Sequence, residues 1–349
     1  MKHRTLTRLA LPAAALSVLA GLAPAATAAP AGSVGTVVGA SGAGSGGDAI
    51  AAHEMGLSEG LVDRAGRTSS ARALRDYWTP ARMRAAQPVE APSYTPADLR
   101  AAAEEVEPTP LREVTQPAPA PTRRATPPFS YVAGKVFFSN SDGDFICSAA
   151  AINSKSKSIV STAGHCLHGG GADGEWASNW VFVPGYNRGK KPKGMFAATD
   201  GFAMQDWVDN GASPTGFNRD FAFARLGRNA KRQTVVGAVG GNGLTVGGAY
   251  RLDLRIFGYP GNIANGEVQK TCAKKSQKVD WEGFSFRAVA GCGFGGGSSG
   301  GPWVTGYNAR TDVGQLRGIT SFGPADNSFI ATPYFDKNVP NLLKAADAG

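Results

Sequence analysis

The sequence predicts an all-β fold for the chain from Phe129 onward. Short runs rich in Val, Ile, Phe and Tyr recur there between clusters of Gly, Asn, Asp and Pro. No strong helical period interrupts them until Leu342-Leu343-Lys344 near the end, which reads as a short C-terminal helix. All four cysteines, Cys147, Cys166, Cys272 and Cys292, fall in the same stretch. A β fold of about 220 residues runs as one unit at this length.

The chain opens differently. Lys2, Arg4 and Arg8 precede an apolar run, Leu9 to Leu22, and then Ala26-Thr27-Ala28. A charged start, an apolar middle and a small-residue cleavage site make residues 1–28 a secretory signal peptide. The rival, a membrane anchor, needs a longer run without Pro12 and Pro24. Residues 31–47 are uncharged Gly, Ser, Ala and Val, a low-complexity stretch.

Residues 57–107 are rich in Ala, Arg and Glu and contain helix-like segments. One is Leu57 to Arg75. Another is Thr95 to Val106, with Thr95 as N-cap, Pro96 at the first helical position and Pro108 as terminator. Glu107 to Pro128 is proline-dense and carries Arg123-Arg124, so it reads as an extended linker with an accessible dibasic bond. Residues 29–124 have few large apolar side chains, which favours a pro-region over a permanent binding module.

The strands expected after the linker are Tyr131 to Ser139, Phe145 to Asn153, Ser158 to Val160, Trp180 to Pro184, Phe221 to Leu226, Leu252 to Tyr259, Ser285 to Ala290, Gly314 to Phe322 and Phe329 to Tyr334. Lys and Arg exceed Asp and Glu by nine, but the basic residues are scattered. No aromatic-interleaved basic stripe points to nucleic acid, and no later segment is apolar enough for a membrane. A soluble basic surface is the simpler reading. Four cysteines in an exported chain argue for two disulfides, with three pairings open. Zinc is disfavoured, since no Cys-x-x-Cys or His-x-x-x-His pair exists.

Two motifs carry the chemistry. Gly295 to Trp303 reads Gly-Gly-Gly-Ser-Ser-Gly-Gly-Pro-Trp, a turn able to expose a serine and aim N–H groups at one point. Ser161-Thr162-Ala163-Gly164-His165-Cys166 places a histidine just beyond a strand. A serine hydroxyl is a poor nucleophile unless a base takes its proton and donors hold the oxyanion. Gly297-Ser298-Ser299-Gly300-Gly301 also fits the Gly-x-Ser-x-Gly pattern of lipases. Those need a histidine after the serine, and here only His3, His53, His165 and His168 exist.

The two motifs resemble the Thr-Ala-Ala-His-Cys and Gly-Asp-Ser-Gly-Gly-Pro signatures of chymotrypsin-like (trypsin-fold) serine peptidases, most closely the secreted bacterial branch similar to glutamyl endopeptidases. The resemblance covers roughly the last two-thirds of the chain. It implies two six-stranded antiparallel β-barrels with the site between them. It also implies Ser299 as nucleophile, His165 as base, and Gly297 and Ser299 N–H groups as oxyanion hole. It pairs Cys147 with Cys166 and leaves Cys272 with Cys292. The acid must lie between the two motifs. Asp220 is preferred among several because Asp-Phe-Ala-Phe-Ala-Arg-Leu resembles the family's Asp-Ile-Ala-Leu. His168, in a glycine-rich loop, is expected to be exposed and dispensable.

Gly318 to Gly323 resembles the strand that pairs with substrate, which puts Ser321 near Asp220 and Thr320, Gly323 and Gly293 around the specificity pocket. Departures stand beside the matches. Ser298 replaces the aspartate that pairs with a new N-terminus, so removal of a covering pro-region is the simpler activation route. Gly293 replaces the acid that selects Lys or Arg, and Thr320 stands where glutamyl enzymes carry a histidine. Asp326 could reach the pocket, though an exposed loop acid is the plainer reading. The expectation is a secreted, monomeric serine endopeptidase acting on polypeptides and kept with its own pro-region, without metal or organic cofactor, binding neither nucleic acid nor membrane. The competing class is a catalytically silent peptidase-like binding module.

Overall fold

Packing of the segments before residue 124 onto the β fold decides what surrounds the site. The computed structural model describes residues 49–56, 71–90, 100–101, 109–121 and 129–348; the signal peptide and the Arg123-Arg124 bond lie outside them. In chain order the early elements are strand β1 (Ile50–Glu54), helices α1 (Ala71–Tyr77) and α2 (Pro80–Ala85), and short strands β2 (Gln87–Pro88), β3 (Arg100–Ala101), β4 (Arg112–Thr115) and β5 (Ala118–Pro119). Thr79 caps α2 by accepting the Arg82 N–H, with Pro80 at its first position.

The first half of the β fold comprises β6 (Ala133–Asn140), β7 (Gly143–Ile152), β8 (Ile159–Thr162), β9 (Ser178–Pro184), β10 (Phe196–Met204) and β11 (Ala222–Leu226). Helices α3 (Gln205–Asn210) and α4 (Pro214–Phe217) link β10 to β11. Hydrogen bonding runs β10-β11-β8-β7-β6-β9, and β9 pairs back to β10, closing a six-stranded barrel. Closure leaves no free ladder within the ring, although β1 adds to β10 outside it. Val136, Phe182, Phe196 and Phe202 fill the interior.

Strand β6 is buried along almost its whole length, not on alternate residues. Its outward Phe137 is covered by Trp78 and Met83 of the N-terminal segment, both wholly buried. A strand covered on both faces loses its polar alternation.

The second half contains α5 (Val235–Val239), β12 (Gly240–Gly241), β13 (Gly243–Val246), β14 (Asp253–Gly258), β15 (Lys270–Lys275), β16 (Gln277–Trp281), β17 (Phe284–Ala290), β18 (Pro302–Asn308), β19 (Val313–Ile319) and β20 (Phe329–Pro333). These form a six-stranded sheet, β15-β14-β18-β19-β13-β4, and a four-stranded one, β20-β17-β16-β3. Leu254, Ile256, Val289, Phe294, Trp303 and Ile330 pack together. Helix α6 (Asn338–Asp347) buries Val339, Leu342, Leu343 and Ala346.

The all-β class and the C-terminal helix are as expected. In the second half the two sheets are joined by the antiparallel pair Phe322–Ala331, where the Ser321 and Ala331 N–H groups donate to the Ala331 and Phe322 carbonyls at 2.9 and 2.7 Å, and β13 adds parallel to β19. Three details of the early segments differ. The expected helix from Thr95 is extended where described, since Arg100 and Ala101 pair with Asp280 and Val279; its other residues are outside the described set. The proline-dense linker is extended but bound, with β4 on β13 and β5 on β12. Of the helix expected from Leu57, the described part is α1, which runs two residues past Arg75.

Candidate active site

Strand β8 leads into a single 3-10 turn, Gly164–Cys166, and that turn carries His165. It is tied from both sides. Cys166 is disulfide-bonded to Cys147 on β7, with Cα atoms 6.2 Å apart, and its carbonyl accepts the Trp180 indole N–H at 2.9 Å. Cys272 and Cys292 form the second disulfide. The close trio Cys147, His165 and Cys166 has the spacing of metal ligands, but both sulfurs are consumed in the bridge.

Asp220 lies two residues before the start of β11 and is fully buried. Its Oδ1 accepts the His165 backbone N–H at 2.8 Å, and its Oδ2 stands 2.8 Å from His165 Nδ1. The Ser321 hydroxyl donates to the same Oδ2. A buried carboxylate without partners would be costly, and three donors remove that cost. Donation from Nδ1 leaves Nε2 as the basic nitrogen. Glycine is required at 164, because a Cβ there would lie 2.9 Å from both Asp220 Oδ1 and the Trp207 ring.

Ser299 sits at the tip of the glycine turn and is 1% exposed. The Ser298 hydroxyl donates to the Gly295 carbonyl at 2.7 Å, and the Gly301 N–H donates to the Ser298 carbonyl at 2.9 Å. Gly297 and Gly300 adopt φ values of +83° and +79°, a region costly for other residues. The two motifs meet at Gly300, whose Cβ position would lie 2.2 Å from Thr162 Oγ1 and 2.9 Å from the Ala163 nitrogen. His165 Nε2 and Ser299 Oγ are both buried, and neither makes a hydrogen bond within the described protein.

Ser148 was not singled out from the sequence, yet it supports the turn. Its N–H donates to the Ser299 carbonyl at 2.7 Å and its hydroxyl to the Gly297 carbonyl at 2.9 Å. Its place beside Cys147 was the available signal. The Gly297 N–H donates to the Val89 carbonyl at 3.0 Å, a contact that nothing local in the sequence announces.

A cleft of about 870 Å³ adjoins the turn, walled by Phe294, Thr320, Phe322, Gly323 and Ile330 together with residues of the 84–90 segment. Thr320 Oγ1 accepts the Trp303 indole N–H at 3.0 Å. Gly323 admits close backbone approach, since a Cβ there would meet the Phe329 carbonyl at 2.5 Å. Gly293 is not on this wall; its carbonyl accepts from Asn262 at 2.9 Å. Asp326 is exposed and turned to the Ser328 N–H at 2.9 Å.

His168 corrects an expectation. It is buried, not exposed, with Nδ1 accepting the Gly170 N–H at 3.0 Å and its ring edge-on to Trp176 at 5.1 Å. The loop is glycine-rich because it folds tightly over a tryptophan, which composition alone does not reveal.

No protein-family model and no curated sequence matches the chain. Solved structures do. A thermostable serine protease, AL20, from an extremophilic microorganism is 32% identical, with a TM-score of 0.57 over 63% of this chain and 98% of its own. The protease Anisep from Arthrobacter nicotinovorans is 29% identical, with a TM-score of 0.57 over 67% of this chain and all of its own. A Glu endopeptidase, at 15% identity and a TM-score of 0.51, shares the fold. Identity of 32% across 98% of AL20 places this chain in the chymotrypsin-like serine protease family.

Proposed function

We propose that this peptidase is a secreted serine endopeptidase that hydrolyses polypeptides through an acyl-enzyme on Ser299. The observation that carries the reading is the pair of hydrogen bonds that the fully buried Asp220 carboxylate takes from the ring and the backbone of His165. In this reading Ser299 Oγ adds to the scissile carbonyl carbon while His165 Nε2 takes its proton. The Gly297 and Ser299 N–H groups hold the oxyanion. The carbon–nitrogen bond then breaks, His165 returns the proton to the leaving amine, and water repeats the sequence to release the acid. Asp220 stays ionised, keeping the Nδ1–H tautomer and offsetting the imidazolium charge.

Residues 1–28 act as signal peptide, 29–124 as pro-region and 125–349 as peptidase in this account. Two disulfides support an oxidising destination. Among the described residues no helix is long and apolar enough to cross a membrane. The turn at Ser298 supports activation without a new N-terminal ion pair, because its hydroxyl closes the loop on Gly295. Ser130 and Tyr131 N–H groups are held by Gln269 and Asp312 side chains at 2.6 and 2.7 Å, which needs no free amine at 125.

The test is release of acid-soluble peptides from denatured casein by the processed protein. Activity abolished in Ser299→Ala supports the reading. Undiminished hydrolysis by Ser299→Ala, or none by the unaltered processed protein, contradicts it and favours a binding module.

A further inference from the structure

The segment that follows α2 does not run off into solvent. Gln87 and Pro88 pair parallel to Phe145 and Ile146 on the edge of β7, and the Val89 N–H donates to the Ile146 carbonyl at 3.2 Å. The Val89 carbonyl then takes the Gly297 N–H at 3.0 Å. Pro88 presses on Gly261, where a Cβ would stand 2.2 Å from Pro88 Cγ. Glu90 lies over Gly296, where a Cβ would stand 3.2 Å from its carboxylate.

These residues lie across the candidate site. Ala86, Gln87, Pro88 and Glu90 wall the cleft that contains Thr320 and Gly323. Val89 and Glu90 also wall the adjoining pocket that contains His165. A substrate carbonyl needs the Gly297 N–H in the reaction proposed above, and Val89 already holds it.

The segment is anchored beyond the cleft. Trp78 and Met83 are wholly buried against Phe137 and Tyr186. The Trp78 indole N–H donates to the Asn179 carbonyl at 2.7 Å, and the Tyr77 hydroxyl donates to Asp144 at 2.8 Å. Arg82 forms an ion pair with the same Asp144. None of these contacts depends on the bond at Arg124. Covalent continuity with the anchor keeps residues 86–90 at high effective concentration over the cleft.

We infer that residues 86–90 are a built-in inhibitory strap that closes the site by giving the Val89 carbonyl to Gly297, with Trp78 and Met83 as its anchor. This rests on the peptidase reading and adds its regulation. Cutting near Arg124 leaves the strap docked, so activation requires loss or degradation of the anchored segment as well as the cut.

The experiment measures the initial rate at which a fluorophosphonate probe labels the folded full-length chain. It compares the unaltered chain with Trp78→Ala, which loosens the anchor, and Gly261→Ala, which drives a methyl group against Pro88. Near-ultraviolet circular dichroism checks the fold of each, and Gly261→Ala carries the test if Trp78→Ala does not fold. Slow labelling of the unaltered chain with a gain of about ten-fold or more in the variants supports the strap. Equal, rapid labelling of all three, lost in Ser299→Ala, overturns the strap and leaves the peptidase reading standing. No labelling of any form, including the chain cut at Arg123-Arg124 after folding with residues 49–90 then degraded, removes both.

Discussion

Asp220 holds His165 twice, by the backbone N–H and by ring Nδ1, each at 2.8 Å. A single carboxylate therefore sets both the position of the turn and the tautomer of the imidazole. Asp220→Asn keeps the shape but offers the ring an amide that can reverse the tautomer. The expected result is a fall of roughly four orders of magnitude in kcat with KM little changed. Steady-state kinetics on the processed protein checks it, and a loss confined to KM would contradict the role.

Gly300 shows how little room joins the two motifs. A methyl group there would lie 2.2 Å from both the Ser148 carbonyl and Thr162 Oγ1, at a φ of +79°. Gly300→Ala should cost about 2–4 kcal/mol, combining backbone strain with overpacking. Denaturant midpoints measure this, and an unchanged midpoint would refute the close approach.

Trp176 lies between two histidines. His53 on β1 stacks on it at 5.0 Å, and His168 meets it edge-on at 5.1 Å. Burial holds His53 below its ordinary 6.5, with Glu54 opposing. Burial and then the charge of His53 hold His168 below the same value, with Asp209 and Glu175 opposing. The folded form therefore binds fewer protons than the unfolded one. The stability linked to these groups is present above 6.5 and is lost as pH falls through the lowered values. Hydrogen exchange of Ile50–Glu54, corrected for intrinsic rates, should be faster at about pH 5.5 than at about pH 7.5. Equal protection at both would contradict the coupling.

Asp347 anchors the end of α6. It accepts the Ser154 hydroxyl at 2.9 Å and the Lys155 and Ser156 N–H groups at 2.7 and 2.8 Å. Burial pushes its carboxyl up, but the hydrogen bonds outweigh burial and leave it below the ordinary 3.8. Its contribution is present above that value and is lost as pH falls through the depressed one. Asp347→Asn should cost about 1 kcal/mol near neutrality, after allowing for solvent screening, and flatten this part of the acid unfolding curve. Thermal midpoints against pH test it, and superimposable curves would count against it.

Much of the β fold was legible because its strands carry local signals. The Phe145 and Phe329 runs are bounded by turn residues and rich in aromatic or β-branched side chains, and both are strands. Strand β15, Lys-Thr-Cys-Ala-Lys-Lys, lacks that texture because it is an edge strand exposed at most positions, so pairing with β14 decides its form. The N-terminal segment was the least legible. Trp78 and Met83 are too few to build a core, and the surface they fill belongs to Phe137, Val181, Val183 and Tyr186, far along the chain. At the site, His165 and Ser299 stand in motifs that resemble known signatures. Val89 acts through its backbone carbonyl, which any residue type could supply, so its identity carries no signal. Ser148 uses its hydroxyl as well as its N–H, but only its place beside Cys147 marks it in the sequence.

The central claim is that Ser299 is the nucleophile served by His165 and Asp220. Treating the processed protein with a fluorophosphonate and mapping the adduct by peptide mass spectrometry tests it most directly. The account predicts one adduct, on Ser299, formed far more slowly in Asp220→Asn and absent in Ser299→Ala. An adduct on another residue, or one formed at an unchanged rate when Asp220 is replaced, would contradict it.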